Sequence, residues 1–485
     1  MSTAPPAPRT LAELRETGYV FRSLRDEIQL NLRRHLREGL PLFPGVRGYE
    51  DTVEPAVENA LLSGHDMIFL GERGQAKTRM IRSLLGLLEE WIPVVAGSEI
   101  HDDPLAPVSA FARQQLKDKG DACEIDWLHR DERYVEKLAT PDVSIGDLIG
   151  DVDPIKVAEG RHLSDEYTIH FGLLPRSNRC IFCINELPDL TEKVQVGLFN
   201  VMEERDVQVK GYRVRLPLDV LVVASANPED YTSRGRIITP LKDRYAAQIR
   251  THYPEDRSTE IEIVRQESTL ATADGIEVHV PDFMEEIVGE ITFQARSSPD
   301  VSQSSGVSVR MSIANYETLV ASAVRRALRN GESEAVPRIS DLQALHASTT
   351  GKIELEYAGV ETSEAELLDG MARRSAHSVF DEMIELDELD SVAKAFDEGW
   401  QVEVSAEMPA ADYLVGLDEI DGLRAAAEKV AGGSSPGRMA AAIEFILEGL
   451  HLKNRLNKQG QPGGVRYGAG GSDGASAPRL QVDED

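Results

Sequence analysis

The stretch "DMIFLGERGQAKT" (66–78) decides the fold, because an apolar run that predicts a strand leads directly into a glycine-containing loop. The loop has the spacing G-x-x-G-x-x-K-T from Gly71 to Thr78. A phosphate-binding loop needs glycines that let backbone N–H groups face phosphate oxygens, a lysine for charge and a hydroxyl for Mg²⁺. Ala76 stands where the usual pattern has another glycine. Since alanine disfavours positive φ only modestly, the loop favours a nucleotide site over a flexible helix cap.

Three further apolar runs predict central strands of the same kind. They are "CIFCI" (180–184), "VLVVASA" (220–226) and "AAQIR" (246–250), and helical patterns separate them. Near-continuous apolar strands that alternate with helices indicate a parallel sheet covered on both faces. Another strand is predicted at "IPVVAG" (92–97), and a long polar stretch follows over 98–144. The sequence therefore predicts an α/β fold.

Composition limits the classes of function. The chain has 485 residues and a net charge of −31, which argues against broad electrostatic binding to nucleic acid. No apolar run approaches the ~18 residues that a membrane span needs. The amino terminus, "MSTAPPAPRT", has no apolar segment of the signal-peptide kind, so we expect a cytoplasmic protein without a membrane anchor.

The three cysteines are too few for a disulfide framework. Cys180 and Cys183 form a C-x-x-C, which could be a redox pair or half of a metal site. On a strand, however, residues three apart point to opposite faces. No second pair completes a metal site, so both are predicted to be core cysteines.

A hairpin is predicted at "RDVQVKGYRVRLP" (205–217), where polar and apolar residues alternate around Lys210-Gly211. Its four basic residues leave DNA binding open as a weaker alternative; they are Arg205, Lys210, Arg213 and Arg215.

Polar residues close two of the predicted strands. Glu186 follows "CIFCIN", and a carboxylate at a strand end beside a phosphate loop can orient an attacking water. Asn185 stands where an aspartate normally holds the hydration shell of Mg²⁺. Its amide oxygen can accept from a bound water but brings no negative charge, so slow or absent hydrolysis stays open. Asn227 closes "VLVVASA", where its side chain can reach a γ-phosphate or the attacking water.

Two arginines complete the set. Arg244 lies in "ITPLKDRYAAQI", on a predicted short helix before a strand. An arginine presented to the nucleotide of a neighbouring subunit stabilises transition-state charge. Arg310 opens a predicted helix in the carboxyl-terminal region, from which it could reach back to the phosphates.

In order and spacing, these elements resemble the AAA+ ATPase module. Two segments are similar to its helix-2-insert group, which contains MoxR-type ATPases and the motor (I) subunit of magnesium chelatase. They are "GERGQAKTRMIRSLLGLL" (71–88) and "VGLFNVMEERDVQVKGYRVRLPLDVLVVASANPEDY" (196–231). The resemblance covers roughly Leu42 to Leu328.

The resemblance implies a role for each site residue and a set of cofactors and partners. Glu186 becomes the Walker B base, Asn227 sensor 1, Arg244 the arginine finger and Arg310 sensor 2. Thr78, Asn185 (through water) and Glu186 become the metal-binding residues. The Walker A residues are Gly71, Glu72, Arg73, Gly74, Gln75, Ala76, Lys77 and Thr78. Family members use ATP and Mg²⁺, form hexameric rings and commonly act with a partner that bears a von Willebrand A domain.

The expected organisation is a parallel five-stranded P-loop AAA+ core with helical additions. An amino-terminal helical extension (1–40) precedes the core, which contains a helix-2 insert and the pre-sensor hairpin (41–253). A helical lid with sensor 2 (254–335) and an acidic, mainly helical region (336–456) follow. The glycine-rich tail (457–485) is predicted to be disordered.

The leading functional prediction is an ATPase that uses Mg-ATP in a homo-hexameric ring to remodel a partner protein or help load metal into it. Two alternatives stay open: the motor subunit of a true magnesium chelatase, and a nucleotide-gated assembly scaffold with little hydrolysis. The residues do not identify the client.

Overall fold

The computed structural model describes residues 4–153, 155, 166–204, 207–209, 212–214, 216–227, 235–272, 275–302, 306–354, 363–461 and 463–469. The chain divides into two compact units, Met1–His252 and Tyr253–Asp485. Within the described residues, no helix combines the length and the apolar character needed to cross a membrane.

Helices and strands alternate in the amino-terminal unit. Its described helices are α1 (Leu11–Glu16), α2 (Leu24–Glu38), α3 (Val53–Leu62), α4 (Lys77–Ser83), α5 (Ala110–Lys119), α6 (Ile145–Leu148), α7 (Leu173–Arg176), α8 (Glu192–Gly197), α9 (Phe199–Glu203) and α10 (Thr239–Arg244). Its described strands are β1 (Met67–Leu70), β2 (Trp91–Val95), β3 (Ile125–His129), β4 (Tyr134–Leu138), β5 (Gly150–Val152), β6 (Ile169–Phe171), β7 (Cys180–Asn185), β8 (Val207–Val209), β9 (Tyr212–Val214), β10 (Val220–Ala226) and β11 (Ala247–Arg250).

A five-stranded sheet in the order β11-β1-β10-β7-β4 forms the centre of this unit, and all of its neighbouring strands pair in parallel. The prediction of a parallel five-stranded α/β core is confirmed. The fifth strand is β4, which lies in the stretch that was predicted to be only polar. The predicted strand at 92–97 instead corresponds to β2, which pairs antiparallel with β3 outside this sheet. β4 escaped detection because it is an edge strand with partly exposed side chains and no continuous apolar run.

The inner strands β1, β7 and β10 are buried on both faces, so their alternate residues enter different hydrophobic clusters. Phe182 and Ile184 belong to one cluster, and Ile181 and Cys183 belong to the other. Cys180 and Cys183 are fully buried, and burial raises the pKa of each thiol to about 12. The prediction that they are core cysteines agrees with their placement, because a buried neutral thiol is neither a ready nucleophile nor a metal ligand.

Helix α2 packs on this sheet rather than standing apart from it. Leu24, Ile28 and Leu32 of α2 are buried in the same cluster as Met67 and Phe69 of β1. The amino-terminal helical segment therefore contributes to the core of the sheet-containing unit.

The predicted hairpin is present as an antiparallel pair between β8 and β9, in which Val207 lies opposite Val214. Its turn residues, Lys210 and Gly211, lie outside the described residues, as do Arg205 and Arg215. The DNA-binding alternative therefore stays a prediction.

The carboxyl-terminal unit is mainly helical. Its described helices are α11 (Arg257–Glu267), α12 (Asp282–Ser297), α13 (Val309–Asn330), α14 (His346–Thr349), α15 (Glu364–Met383), α16 (Asp390–Asp397), α17 (Leu423–Ala431) and α18 (Pro436–Leu452). Its described strands are β12 (Glu277–Val278), β13 (Glu334–Ala335), β14 (Val402–Val404), β15 (Leu456–Gln461) and β16 (Gly464–Ala469). One hydrophobic cluster runs from Val264 to Tyr467, so the predicted boundary between residues 335 and 336 falls within a single packed unit.

The prediction of a disordered tail from residue 457 onward is wrong for β15 and β16. These strands pair with each other and, through β16, with β14. Glycine content suggested disorder, but Leu456 and Tyr467 are 2% exposed and anchor the hairpin to the core. Gly463, with φ 88°, supplies the left-handed conformation that the tight turn requires. Residues 470–485 lie outside the described residues.

A buried ion pair links α2 to the start of β4 in the amino-terminal unit. The guanidinium of Arg133 donates to both carboxylate oxygens of Glu27 at 2.7 and 2.6 Å, and both residues are buried. We expect Glu27→Gln to lower the free energy of unfolding by about 3–5 kcal/mol, since it leaves a buried cation without its counter-charge. Urea denaturation of the full chain measures this loss.

The exposed pair between Arg15 and Asp121 is a matched control for that experiment. Asp121→Asn should change the free energy of unfolding by no more than about 1 kcal/mol, because solvent screens an exposed pair. Equal effects of the two substitutions would contradict a structural role for the Glu27–Arg133 pair.

Candidate functional site

The glycine loop joins the end of β1 to the start of α4. Gly74 has φ 76°, and Ala76 adopts a left-handed conformation with φ 54° and ψ 14°. Lys77 is the first residue of α4 and is buried. Ala76 therefore takes up the conformation for which glycine is usual, and the loop keeps its turn despite the substitution.

Residues just before α3 and just after β11 support the loop. The hydroxyl of Tyr49 lies 3.0 Å from the carbonyl oxygen of Gln75 and 2.7 Å from that of His252. Thr251 donates from Oγ1 to Oε1 of Gln75 at 2.6 Å. A Cβ atom on Gly71 would lie 1.9 Å from Thr251 Oγ1, so the close approach requires glycine there. Sequence reasoning missed Tyr49 and Thr251, because nothing in their local pattern connects them to the loop.

A chain of hydrogen bonds connects the loop lysine to two strand ends. The ammonium of Lys77 donates to the carbonyl oxygens of Gly71 and Glu72 at 2.5 and 2.7 Å. It also donates to Oδ1 of Asn227 at 2.7 Å. Nδ2 of Asn227 donates in turn to Oε2 of Glu186 at 2.7 Å. The structure thus brings together Lys77, Asn227 and Glu186, which lie far apart in sequence.

Asn185 and Glu186 end β7 in different ways. Glu186 has a left-handed backbone with φ 57°, and its N–H donates to Ser225 Oγ at 3.3 Å. Oδ1 of Asn185 accepts from Ser225 Oγ at 2.5 Å and from Thr78 Oγ1 at 3.5 Å. Nδ2 of Asn185 donates to Oε1 of Glu136 at 3.0 Å. Ser225 and Glu136 are site neighbours that sequence reasoning missed; a serine inside the apolar run of β10 was the signal for the first.

The donor atoms fit the chemistry of a nucleotide with Mg²⁺. The hydroxyl of Thr78, the amide oxygen of Asn185 and the carboxylate of Glu186 are hard oxygen ligands of the type that Mg²⁺ prefers. Mg²⁺ usually keeps several waters and takes few protein ligands, so a dense cluster of carboxylates is not needed. Within the described residues, no group of three or more His, Cys, Asp or Glu side chains forms a metal cage.

The two arginines make other contacts: Arg244 belongs to the amino-terminal unit and Arg310 to the carboxyl-terminal unit. Arg244 pairs with Glu203, donates to the carbonyl oxygen of Pro240 at 2.7 Å and stacks over the ring of Phe199. Arg310 is exposed near the start of α13 in the carboxyl-terminal unit, where its N–H donates to Ser308 Oγ at 3.1 Å. The roles of both arginines stay predictions.

A glycine loop and a lysine-bearing helix follow one strand of a parallel five-stranded sheet, and polar residues close two neighbouring strands. This arrangement is that of an α/β P-loop core. No family model matches the chain, and no curated relative matches it in sequence.

Several solved structures are similar to the chain. A cryo-EM-based model of the complex between the BchI and BchD subunits of magnesium chelatase has 19% identity and a TM-score of 0.35, covering 70% of this chain and 96% of that one. A protein from Cytophaga hutchinsonii assigned as an ATPase has 18% identity and a TM-score of 0.30, covering 74% and 98%. NtrX from Brucella abortus has 15% identity and a TM-score of 0.39, covering 72% and 66%. These scores are low, so the fold assignment rests on the strand order and the loop.

The backbone of Ala76 gives a direct test of the loop. Ala76→Gly should retain nucleotide binding and raise the free energy of unfolding by about 0.5 kcal/mol, as relief of left-handed strain outweighs the entropy cost of glycine. Ala76→Val should lower the free energy of unfolding by about 1–2 kcal/mol and weaken binding, because a β-branched residue resists positive φ. Titration with a fluorescent ATP analogue and urea denaturation measure the two effects. Wild-type affinity in Ala76→Val would show that the left-handed turn is not required.

Proposed function

We propose that the chain binds and hydrolyses Mg-ATP as a MoxR- or magnesium-chelatase-like AAA+ ATPase, and that it works in a ring to remodel, or help load metal into, a partner protein. The observation that carries this proposal is the hydrogen-bonded chain from Lys77 through Asn227 to Glu186. It joins a phosphate-binding cation to a candidate base through one polar side chain.

Phosphate binding is assigned to the loop and to Lys77. Backbone N–H groups from Gly71 to Thr78 would bind the phosphates, and the buried ammonium of Lys77 would supply the positive charge. Lys77 donates to the loop carbonyls and to Asn227, and phosphate oxygens would replace these acceptors when the nucleotide binds.

Glu186 is assigned as the residue that orients the attacking water. Its carboxylate accepts from Nδ2 of Asn227, which holds it at the strand end beside the loop. In phosphoryl transfer the protein acts mainly by positioning and electrostatic stabilisation, so a fixed carboxylate next to the phosphate is the required element. Asn227 contacts both the lysine and this carboxylate, which suits a residue that senses the γ-phosphate.

Mg²⁺ would be held by Thr78 directly and by Asn185 through water, with Glu186 nearby. The ion supplies neutralisation of the charge that develops on the β- and γ-phosphate oxygens. The residues of this chain orient those ligands: Ser225 holds the amide oxygen of Asn185 on the side of Thr78.

Ring assembly is proposed from the two remaining arginines. Arg244 is partly exposed and takes no part in the contacts between Lys77, Asn227 and Glu186. A residue that acts on the nucleotide of a neighbouring subunit is expected to have both properties. Arg310 is assigned as sensor 2. We propose a homo-hexamer on the basis of Arg244, with a von Willebrand A-domain protein as the type of partner that the family resemblance implies, and a cytoplasmic location on the basis of the sequence.

A second candidate is a nucleotide-gated assembly scaffold that binds ATP but turns it over slowly. The amide at position 185, which brings no negative charge to the metal, favours it. The narrower alternative is the motor subunit of a true magnesium chelatase, which differs from the leading proposal only in its partner and client. Coupled assays with purified partner subunits distinguish the two.

Glu186→Gln separates the ATPase from the scaffold. The variant keeps an oxygen that can accept from Asn227, so it should bind ATP like the wild type. Loss of the carboxylate should reduce turnover by about 10²–10⁴-fold. A phosphate-release assay measures turnover, and Glu192→Gln, an exposed position with the same charge change, is the control. Unchanged turnover in Glu186→Gln would contradict the catalytic assignment, and a wild type that binds ATP without any turnover would favour the scaffold.

A further inference from the structure

We propose that Glu136 is a positioning residue for the Mg²⁺ ligands, and that it supplies from the neighbouring strand the negative charge that Asn185 lacks. This inference rests on the proposed nucleotide site and deepens it. Glu136 lies on β4, the edge strand that pairs in parallel with β7. In that register Glu136 lies opposite Cys183, two positions before the Leu138–Asn185 pair.

The hydrogen-bond partners of Asn185 determine how its amide is oriented. A carboxylate only accepts hydrogen bonds, so the amide nitrogen must face Oε1 of Glu136, 3.0 Å away. The hydroxyls of Ser225 and Thr78 donate to the amide oxygen on the other side. Glu136 therefore turns the amide oxygen of Asn185 toward Thr78, the residue assigned to the metal.

The carboxylate of Glu136 is itself held in place. Arg82, on α4 and four positions after Thr78, donates to Oε2 through two nitrogens at 3.1 and 2.7 Å. The hydroxyl of Tyr134 lies 3.2 Å from the same oxygen, and burial raises the pKa of this phenol, so it stays a neutral donor. The loop helix, the edge strand and the end of β7 are thus connected through one carboxylate.

Because of this arrangement, an aspartate at position 185 would be repelled by Glu136. The carboxylate that replaces the amide nitrogen would lie against Oε1 of Glu136, and two like charges at that distance disfavour each other. A hydrogen bond to an ionised partner is stronger than a neutral one and polarises the amide oxygen that faces the metal. In this chain the amide of Asn185 on β7 and the carboxylate of Glu136 on β4 therefore take the place of a single carboxylate at position 185.

The test is a double-substitution cycle on Glu136 and Asn185, read as the Mg²⁺ dependence of nucleotide affinity. A fluorescent ATP analogue is titrated in EDTA and then at increasing Mg²⁺. Glu136→Gln should leave the affinity in EDTA unchanged and raise the Mg²⁺ concentration for half-maximal effect by about tenfold, as expected for loss of a partner of a metal ligand. Glu124→Gln, an exposed carboxylate with the same charge change, should leave both values unchanged.

The remaining two variants distinguish positioning from general structural damage. Asn185→Asp alone should not lower the Mg²⁺ concentration for half-maximal effect, and it should lower the thermal unfolding midpoint. In the double variant Glu136→Gln/Asn185→Asp, the amide at position 136 can donate to the carboxylate at position 185. The Mg²⁺ concentration for half-maximal effect should therefore equal the wild-type value or lie below it. A damaged β4–β7 contact alone would not produce this rescue.

Either of two results overturns the inference while the proposed function stands. If Glu136→Gln keeps the wild-type Mg²⁺ dependence, or if Asn185→Asp alone binds Mg²⁺ as well as the double variant, Glu136 does not position the metal ligands. If the wild type binds no nucleotide under any condition, the proposed function fails and this inference fails with it. Mg²⁺-dependent binding by the wild type with no change in the variants overturns the inference alone.

Discussion

The hydrogen bonds that join Lys77, Asn227 and Glu186 are the interactions on which the site depends. They connect the start of α4 to the ends of β10 and β7, two adjacent strands of the central sheet. Parallel strands bring their carboxyl ends to one edge, where ligands of open α/β sheets bind. Because the inner strands of the sheet are buried on both faces, their ends are fixed relative to one another, and short polar side chains can meet there at hydrogen-bond distance.

Two departures from the usual P-loop pattern are accommodated by local contacts. Ala76 adopts positive φ at a cost of about 1–2 kcal/mol, which the surrounding contacts of Tyr49, Thr251 and Gln75 can offset. Asn185 keeps its oxygen toward Thr78 because Glu136 holds its nitrogen. The first departure affects the backbone of the glycine loop, and the second affects the charge at the proposed Mg²⁺ site.

The central strands and the strand-end residues could be predicted because β1, β7 and β10 are continuous apolar runs, and a polar residue after such a run is conspicuous. β4 could not be predicted in the same way, because an edge strand has one exposed side and "YVEKL" alternates without a clear apolar run. Glu136 was missed with it, since its importance comes from a parallel register that no local pattern encodes. The β15–β16 hairpin was mistaken for disorder because glycine content conceals the two buried anchors, Leu456 and Tyr467.

Isothermal titration calorimetry of Mg-ATP against the wild type and Lys77→Ala tests the central claim most directly. Lys77 is buried at the start of α4 and donates to both the loop and Asn227, so in the proposed site its ammonium would supply the charge for phosphate binding. The account predicts saturable binding to the wild type and its loss in Lys77→Ala, with the thermal unfolding of the unliganded variant showing that it remains folded. Equal binding by a folded Lys77→Ala, or no binding by the wild type, would contradict it.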